Sequence, residues 1–227
     1  MKTMIMTVAF LAFCSGREAR ANGDKLDMKQ LKLALLSVAP AYFANVVIHE
    51  GSHAVAALSM GMKVEDFMVF PQMVDGQFYF GYHNASRQRE PSNTEKAFYY
   101  IMPQITAITL FSLAEIGFET GFISHRSDAA AIIFVMFEVA PLVNLFTYVL
   151  GGSTGAIGVD PVKFENATGI SPALNRGVGL AIGAVGLALM IRRAQKIFWK
   201  KEAPKKPGRY QCDVAANDGT IGLAVKF

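Results

Sequence analysis

Four long apolar segments constrain the fold of this chain more than any other feature. They cover about Leu31 to Met60, Ala97 to Phe118, Ala129 to Leu150 and Gly177 to Ile191. A helix that crosses a bilayer needs about 20 mainly apolar residues, and the first three segments reach that length. The fourth is shorter, but its glycines would let neighbouring helices approach closely. The sequence therefore predicts a mainly α, polytopic transmembrane protein with about four helices.

Prolines lie inside three of these segments, at Pro40, Pro103 and Pro141. A proline removes a backbone hydrogen-bond donor and bends a helix. Membrane proteins tolerate this where neighbouring groups satisfy the freed carbonyl. Bent helices of this kind can make room for a buried polar site.

The composition agrees with a membrane protein. Hydrophobic residues make up 52% of the chain and charged residues 18%, whereas soluble domains carry about 25% charged residues. Much of the positive charge follows the fourth segment, between residues 192 and 206. Basic residues favour the cytoplasmic side of a membrane, and no nucleic-acid-binding motif accompanies them. We expect an integral protein of a bacterial inner (cell) membrane, with the lipid bilayer as a partner and no nucleic acid.

The chain divides into three parts. Residues 1–21 resemble a secretory signal peptide, because Lys2 precedes a short apolar run and Ala19-Arg20-Ala21 offers a cleavage pattern. An uncleaved anchor is the alternative. Residues 22–199 form the membrane domain. Residues 200–227 form a basic, proline-containing linker and a strand-like tail.

Two hairpins are predicted outside the helices. Between the first and second segments, apolar residues alternate on both sides of Asp75-Gly76, a dipeptide typical of hairpin turns. This pattern predicts a short antiparallel sheet from about Val64 to His83. The tail shows the same alternation after the turn residues Asn217-Asp218-Gly219.

The motif that carries chemistry is His49-Glu50-Gly51-Ser52-His53, inside the first apolar segment. Residues four apart on a helix lie on one face, so both imidazoles can reach one metal ion. Zinc (Zn²⁺) suits this pattern because it lowers the pKa of a coordinated water to about 7, and Glu50 can then act as general base. Such polar residues are costly in an apolar helix unless they are paired or bind a metal.

The stretch from Ile48 to Ala54 resembles the active-site helix of the site-2 protease family of intramembrane zinc proteases, and the following hairpin resembles that family's membrane-associated sheet. The resemblance covers about residues 31–161. It implies a third metal ligand, an aspartate from a later segment that follows asparagine and prolines. Asp160, after Pro141 and Asn144, is the matching position, although Pro161 replaces the glycine that usually follows.

Other polar residues leave alternatives open. Glu138, deep in the third segment, could be the third ligand or a protonated helix-to-helix contact. Asn144 could bind the substrate backbone or make a helix contact. Glu115 is expected to reach the membrane interface. His83 and His125 lie at predicted loop positions, where we expect solvated side chains.

These features predict a hydrolase, a zinc metalloprotease that cleaves peptide bonds within or next to the membrane. His49, His53 and Asp160 would bind zinc, Glu50 would be the general base, and Asn144 would bind substrate. The partner would be a membrane protein or peptide, whose extended chain the hairpin edge could accept by strand addition. The alternative is a non-proteolytic metal-binding membrane scaffold or ligand-binding protein.

Overall fold

The structure is a computed structural model that describes residues 24–74, 77–79, 81–86, 89–153, 160–200, 211–217 and 220–226. The predicted signal peptide, the Asp75-Gly76 turn and the linker after Lys200 lie outside the described residues. The sequence-based division at residues 21 and 199 stays a prediction.

The protein is mainly helical, as the sequence predicted. Its helices are α1 (Met28–Ser59), α2 (Asn93–Glu119), α3 (Asp128–Phe134), α4 (Ala140–Ser153), α5 (Asp160–Thr168) and α6 (Pro172–Phe198). A π-helical turn, Val135–Val139, joins α3 to α4 in one continuous rod. In the described residues, α1, α2, this rod and α6 are long and apolar enough to cross a membrane. The molecule is therefore an integral membrane protein with four candidate spans.

Short strands form antiparallel two-stranded ladders. They are β1 (Lys25–Leu26), β2 (Lys63–Met68), β3 (Gln72–Val74), β4 (Gln77–Tyr79), β5 (Tyr82–Ser86), β6 (Trp199–Lys200), β7 (Gln211–Asn217) and β8 (Thr220–Lys226). β2 pairs with β5, and β3 pairs with β4 between them. The predicted hairpin after α1 is thus confirmed, and it extends to Ser86. The tail hairpin is confirmed as the β7–β8 pair.

Side-chain caps explain where the helices begin. The Asp27 carboxylate accepts from the backbone N–H groups of Lys29 and Gln30 at the start of α1. Ser92 and Glu95 form a reciprocal capping box at the start of α2. These bonds satisfy amide donors that the first turn of a helix leaves unpaired. These caps therefore fix the first residues of α1 and α2.

The core lies between α1, the α3–α4 rod and α6. Val38, Phe134, Val139 and Ile197 are each at most 1% exposed. Large apolar side chains on the outer faces of the helices are exposed, and Leu36 is 76% exposed. An apolar outer surface of this kind suits lipid rather than water.

Small residues bring α6 against α4, as the glycines in the fourth segment predicted. A Cβ added at Gly183 would lie 2.9 Å from the Phe146 ring, and one at Gly186 would lie 2.9 Å from Leu142 Cδ1. At these distances a side chain at position 183 or 186 would force Phe146 or Leu142 to move. The two glycines therefore set the spacing between these helices.

The π-helical turn directly precedes Pro141. Pro141 has no N–H to donate to the carbonyl four residues earlier. The N–H of Ala140 bonds instead to the carbonyl of Val135, five residues back. The extra residue in this turn changes the direction of the side chains around Glu138.

Candidate metal centre

Three potential metal ligands converge where α1 meets the start of α5. Asp160 Oδ2 lies 3.0 Å from His53 Nε2 and 3.3 Å from His49 Nε2. One ligand atom from each residue lies within 4.8 Å of the others. The histidines are one turn apart on α1, and Asp160 arrives from a segment more than 100 residues later. The structure thus brings together the two histidines and the aspartate chosen from sequence.

Two of the three distances among these atoms match those around a tetrahedral metal, and the third, between the two histidine nitrogens, is at most 4.8 Å. Zinc bonds of about 2.0 Å at the tetrahedral angle place neighbouring ligand atoms about 3.3 Å apart. The two oxygen-to-nitrogen distances, 3.0 and 3.3 Å, are close to that value. Two imidazoles and one carboxylate are also the donors that a catalytic zinc commonly takes, with a fourth position left open. The residues present therefore fit the ion.

Electrostatics favour an ionised carboxylate at Asp160. Burial alone would raise the pKa of Asp160, but hydrogen bonds from His49 and His53, together with their charge, hold the pKa well below its usual value. A carboxylate that stays charged is the form that binds a cation.

Pro103 explains how His53 is oriented. Because a proline nitrogen cannot donate, the carbonyl of Tyr99, four residues earlier in α2, lacks its helical partner. His53 Nδ1 lies 2.9 Å from that oxygen, so an Nδ1–H donates to it. The Tyr99 ring also stacks on the His53 ring, with centroids 4.6 Å apart. With Nδ1 held as a donor by Tyr99, Nε2 is the atom that faces Asp160, and it would give up its proton there if a metal took that proton's place.

Asn144 contacts a ligand histidine. Its amide nitrogen lies 3.4 Å from His49 Nδ1. If His49 binds metal through Nε2, its Nδ1 carries the proton, and the Asn144 amide turned over would accept that proton through Oδ1. Asn144 can therefore hold the His49 ring. Its predicted contact with substrate stays a prediction.

Glu50 lies beside the cluster, against the backbone of the hairpin segment. A Cβ added at Gly81 would lie 2.9 Å from Glu50 Oε1 and 2.6 Å from Val46 Cγ1. A side chain at position 81 would force Val46 or Glu50 to move. The Glu50 side chain thus packs against the backbone of the hairpin segment.

A cleft of about 260 Å³ opens at the cluster. Its lining residues come from α1, α2, α4 and α5. They include two of the three candidate ligands and several neutral polar groups. They are His49, Gln104, Asn144, Thr147, Tyr148, Gly151, Asp160 and Pro161. Gln104 is 3% exposed, and its Oε1 has no hydrogen-bond partner among the described residues. The cleft therefore offers polar groups for a ligand beside the candidate metal position.

His125 lies between α2 and α3, a loop position as predicted, whereas His83 lies in a strand, and both side chains have partners within the protein. His83 lies in β5, and its Nδ1 is 2.7 Å from the Tyr99 hydroxyl, so it supports the residue that orients His53. Burial lowers the pKa of His83, and nearby His53 adds to this effect. His125 contacts the Arg193 guanidinium. The sequence carried no signal for either contact, because both depend on how distant elements pack.

Two glutamates of the apolar segments lie away from the cluster. Glu138 is fully buried beside Arg193 and is not part of the His49–His53–Asp160 cluster. Of its two alternatives, the assignment as third ligand is therefore not supported. The Glu115 carboxylate accepts from Arg193 at 2.8 Å, and its position at the membrane interface stays a prediction.

Comparison with known proteins identifies no relative. No family profile, characterised protein or solved structure matches the chain. The resemblance to the site-2 protease family therefore rests on the motif residues, and function has to be argued from the centre itself.

Proposed function

We propose that this protein is a zinc-dependent hydrolase that cleaves peptide bonds within or next to the membrane. The observation that carries the proposal is the convergence of His49, His53 and Asp160 Oδ2. Glu50 is the next residue after His49 on α1. Zinc bound there would supply a Lewis acid that polarises a carbonyl and makes water easier to deprotonate.

The protein's own side chains would divide the remaining work. Glu50 would take the proton of the attacking water and pass it to the leaving amine. Tyr99 and Asn144 would hold the two imidazoles through their Nδ1 atoms. Gln104 and Thr147, which line the cleft, would meet the polar backbone of a bound peptide. A purely structural zinc would need no carboxylate in the position of Glu50.

An apolar groove supports a substrate that lies in the membrane. It has a volume of about 400 Å³ and runs between α2, α4 and α6. Ala107 and Leu145, which line it, are one helical turn from Gln104 and next to Asn144 in the cleft. An apolar side chain or segment could therefore reach the cleft from the bilayer without crossing water.

The test combines metal analysis with hydrolysis. The full chain is purified in detergent without chelator, and zinc is counted in the wild type and in His49→Ala/His53→Ala. The same samples are mixed with a library of apolar peptides in micelles, and products are identified by mass spectrometry. We expect about one zinc per chain in the wild type, none in the double variant, and cleavage by the wild type alone.

Two outcomes would count against the proposal. Equal zinc in both samples would remove the metal site. Zinc that depends on the histidines, without cleavage of any peptide, would favour the non-proteolytic metal-binding scaffold.

A further inference from the structure

A second buried polar centre lies around Arg193, at the end of α6. Arg193 is 1% exposed. One of its nitrogens, Nη2, lies 2.8 Å from Glu115 Oε2 and 2.9 Å from Glu119 Oε1, both on α2. Its Nη1 contacts His125 Nε2. A guanidinium inside a helical bundle is stable only with such partners.

Glu138 adds a third carboxyl group to this centre. It is 0% exposed, and neither of its oxygens has a hydrogen-bond partner among the described residues. Arg193 Nε is 3.8 Å from Glu138 Oε1, which is too long for a hydrogen bond. Glu115 Oε1 is buried and equally unpartnered in the described part of the chain.

Among the buried groups of this centre, one guanidinium faces two carboxyl groups, Glu115 and Glu138. Arg192 and Lys196 are more exposed and pair with Glu119, which Arg193 also contacts. His125 Nε2 accepts from the Arg193 guanidinium and therefore carries no proton, and burial and then the charge of Arg193 lower the pKa of His125. α1, which also packs on the π-helical turn, adds Tyr42 at the edge of the apolar core. Among the described residues, Arg193 is the only buried cation beside Glu138, and it is already bound to Glu115.

We propose that Glu138 and Glu115 form a proton-binding site buried in the helical bundle. A proton on Glu138 removes the second buried negative charge. An O–H donated from Glu138 to Glu115 Oε1 also supplies partners for unpaired atoms on both residues. A sodium ion would face repulsion from the adjacent guanidinium, whereas a proton fits between two carboxyl groups. The π-helical turn places Glu138 there, as such turns often do at functional sites.

This site is independent of the candidate metal centre. Glu138 precedes Asn144 by six residues, about 9 Å along a helix. The proposed proton site and the proposed hydrolase activity can therefore be tested separately.

Infrared spectroscopy tests the proton directly. The wild type in nanodiscs at pH 7 should show the C=O stretch of a protonated carboxylic acid, and Glu138→Gln should lose it. Glu165→Gln is the matched control, because Glu165 is also buried but already accepts a hydrogen bond from Asn175 at 2.9 Å. Glu115→Gln should keep the band at a shifted frequency. An unchanged spectrum in Glu138→Gln, or an unshifted band in Glu115→Gln, would overturn the site.

Stability against pH gives a second, independent readout. A proton that the folded protein keeps and the unfolded chain releases makes stability fall as pH rises. Relative to Glu138→Gln, the folded-to-unfolded ratio of the wild type should fall by up to about tenfold per pH unit above pH 5. Taking this difference cancels the metal ligands, which both proteins share. A difference that does not change with pH would contradict the proposal.

Two alternatives to a bound proton can be tested, an ionised Glu138 paired with Arg193 and a bound sodium ion. If Glu138 were ionised and paired with Arg193, Glu138→Gln would be less stable than the wild type above about pH 5, by an amount that does not shrink as pH rises. If a sodium ion occupied the site, sodium chloride would stabilise the wild type more than choline chloride at equal ionic strength. Either result would refute a bound proton.

Discussion

Glu50 lies next to His49 on α1 but is not one of the three clustered ligand residues. Glu50→Gln keeps the shape of the side chain but removes the base. We expect hydrolysis to fall roughly 10²- to 10⁴-fold, with zinc content unchanged. Glu90→Gln, at an exposed glutamate paired with Lys96, should change neither. Full activity in Glu50→Gln would move the proposed function to the scaffold alternative.

Asp160 should behave as a ligand rather than as a base. Loss of a group that only orients a ligand costs about 10- to 100-fold in metal affinity. Asp160→Asn removes a charged donor itself, so we expect a loss of at least about 100-fold. Competition with a chromophoric zinc chelator measures it, with Asp66→Asn on β2 as the control. Zinc affinity within a fewfold of the wild type would exclude Asp160 from the site.

Three residues of the candidate metal centre could be predicted from their spacing in the sequence. His49, Glu50 and His53 are neighbours on one helix, so their spacing alone fixes their relation. Asp160 depends on how α5 returns to α1, and it was chosen only through a family resemblance. The contact of His49 with Asn144 and the partners of His53 follow from packing, which local spacing does not encode.

Among the elements, the bend in α2 has a consequence for metal binding. In Pro103→Ala the new N–H would donate to the Tyr99 carbonyl and compete with His53 Nδ1–H. His53 would lose the bond that fixes its tautomer, so we expect zinc affinity to fall about 10- to 100-fold. Pro40→Ala, the same change in α1, is the control. Chelator competition gives both affinities, and equal values for the two variants would show that Tyr99 does not orient His53.

The length of the apolar segments predicted the four candidate spans, and alternating apolar residues around turn residues predicted both hairpins. These patterns did not predict the π-helical turn, because the missing donor at Pro141 does not by itself specify one. They also ended the first hairpin at His83, whereas β5 continues to Ser86 and pairs with the start of β2. Pairing of distant strands is a tertiary effect, and local alternation carries little information about it.

At the scale of the whole molecule, the two ends of the helical bundle are joined. β1 pairs with β6, placing Leu26 opposite Trp199. The N–H of Asp27 donates to the carbonyl of Phe198 at 2.6 Å. The same aspartate caps α1 and pairs with Lys200 at 2.6 Å. One side chain thus ties the first span to the last and holds the frame in which α1 presents the metal ligands.

Asp27 should therefore stabilise the bundle in two separable ways. Asp27→Ala loses both the cap and the ion pair, and we expect a cost of about 1–2 kcal/mol. Asp27→Asn keeps a good capping side chain and loses only the pair with half-exposed Lys200, a cost below about 1 kcal/mol. Fluorescence of Trp199, the single tryptophan, follows unfolding in detergent at this junction. Equal losses in the two variants would show that the cap contributes nothing.

The ion pair also predicts a dependence on pH. Burial would raise the pKa of Asp27, but hydrogen bonds from Lys200 and the helix N–H groups, with the charge of Lys200, bring the pKa below its usual value. A carboxyl with a lowered pKa stabilises the folded state fully above its unfolded-state pKa of about 3.9. That stabilisation is lost as pH falls through the lower, folded-state pKa. The advantage of the wild type over Asp27→Asn should therefore be constant from pH 7 to about 5 and shrink below about 4. An advantage that grows on acidification would mean that Asp27 is protonated in the folded bundle, and the link between the first and last spans would then be a neutral hydrogen bond.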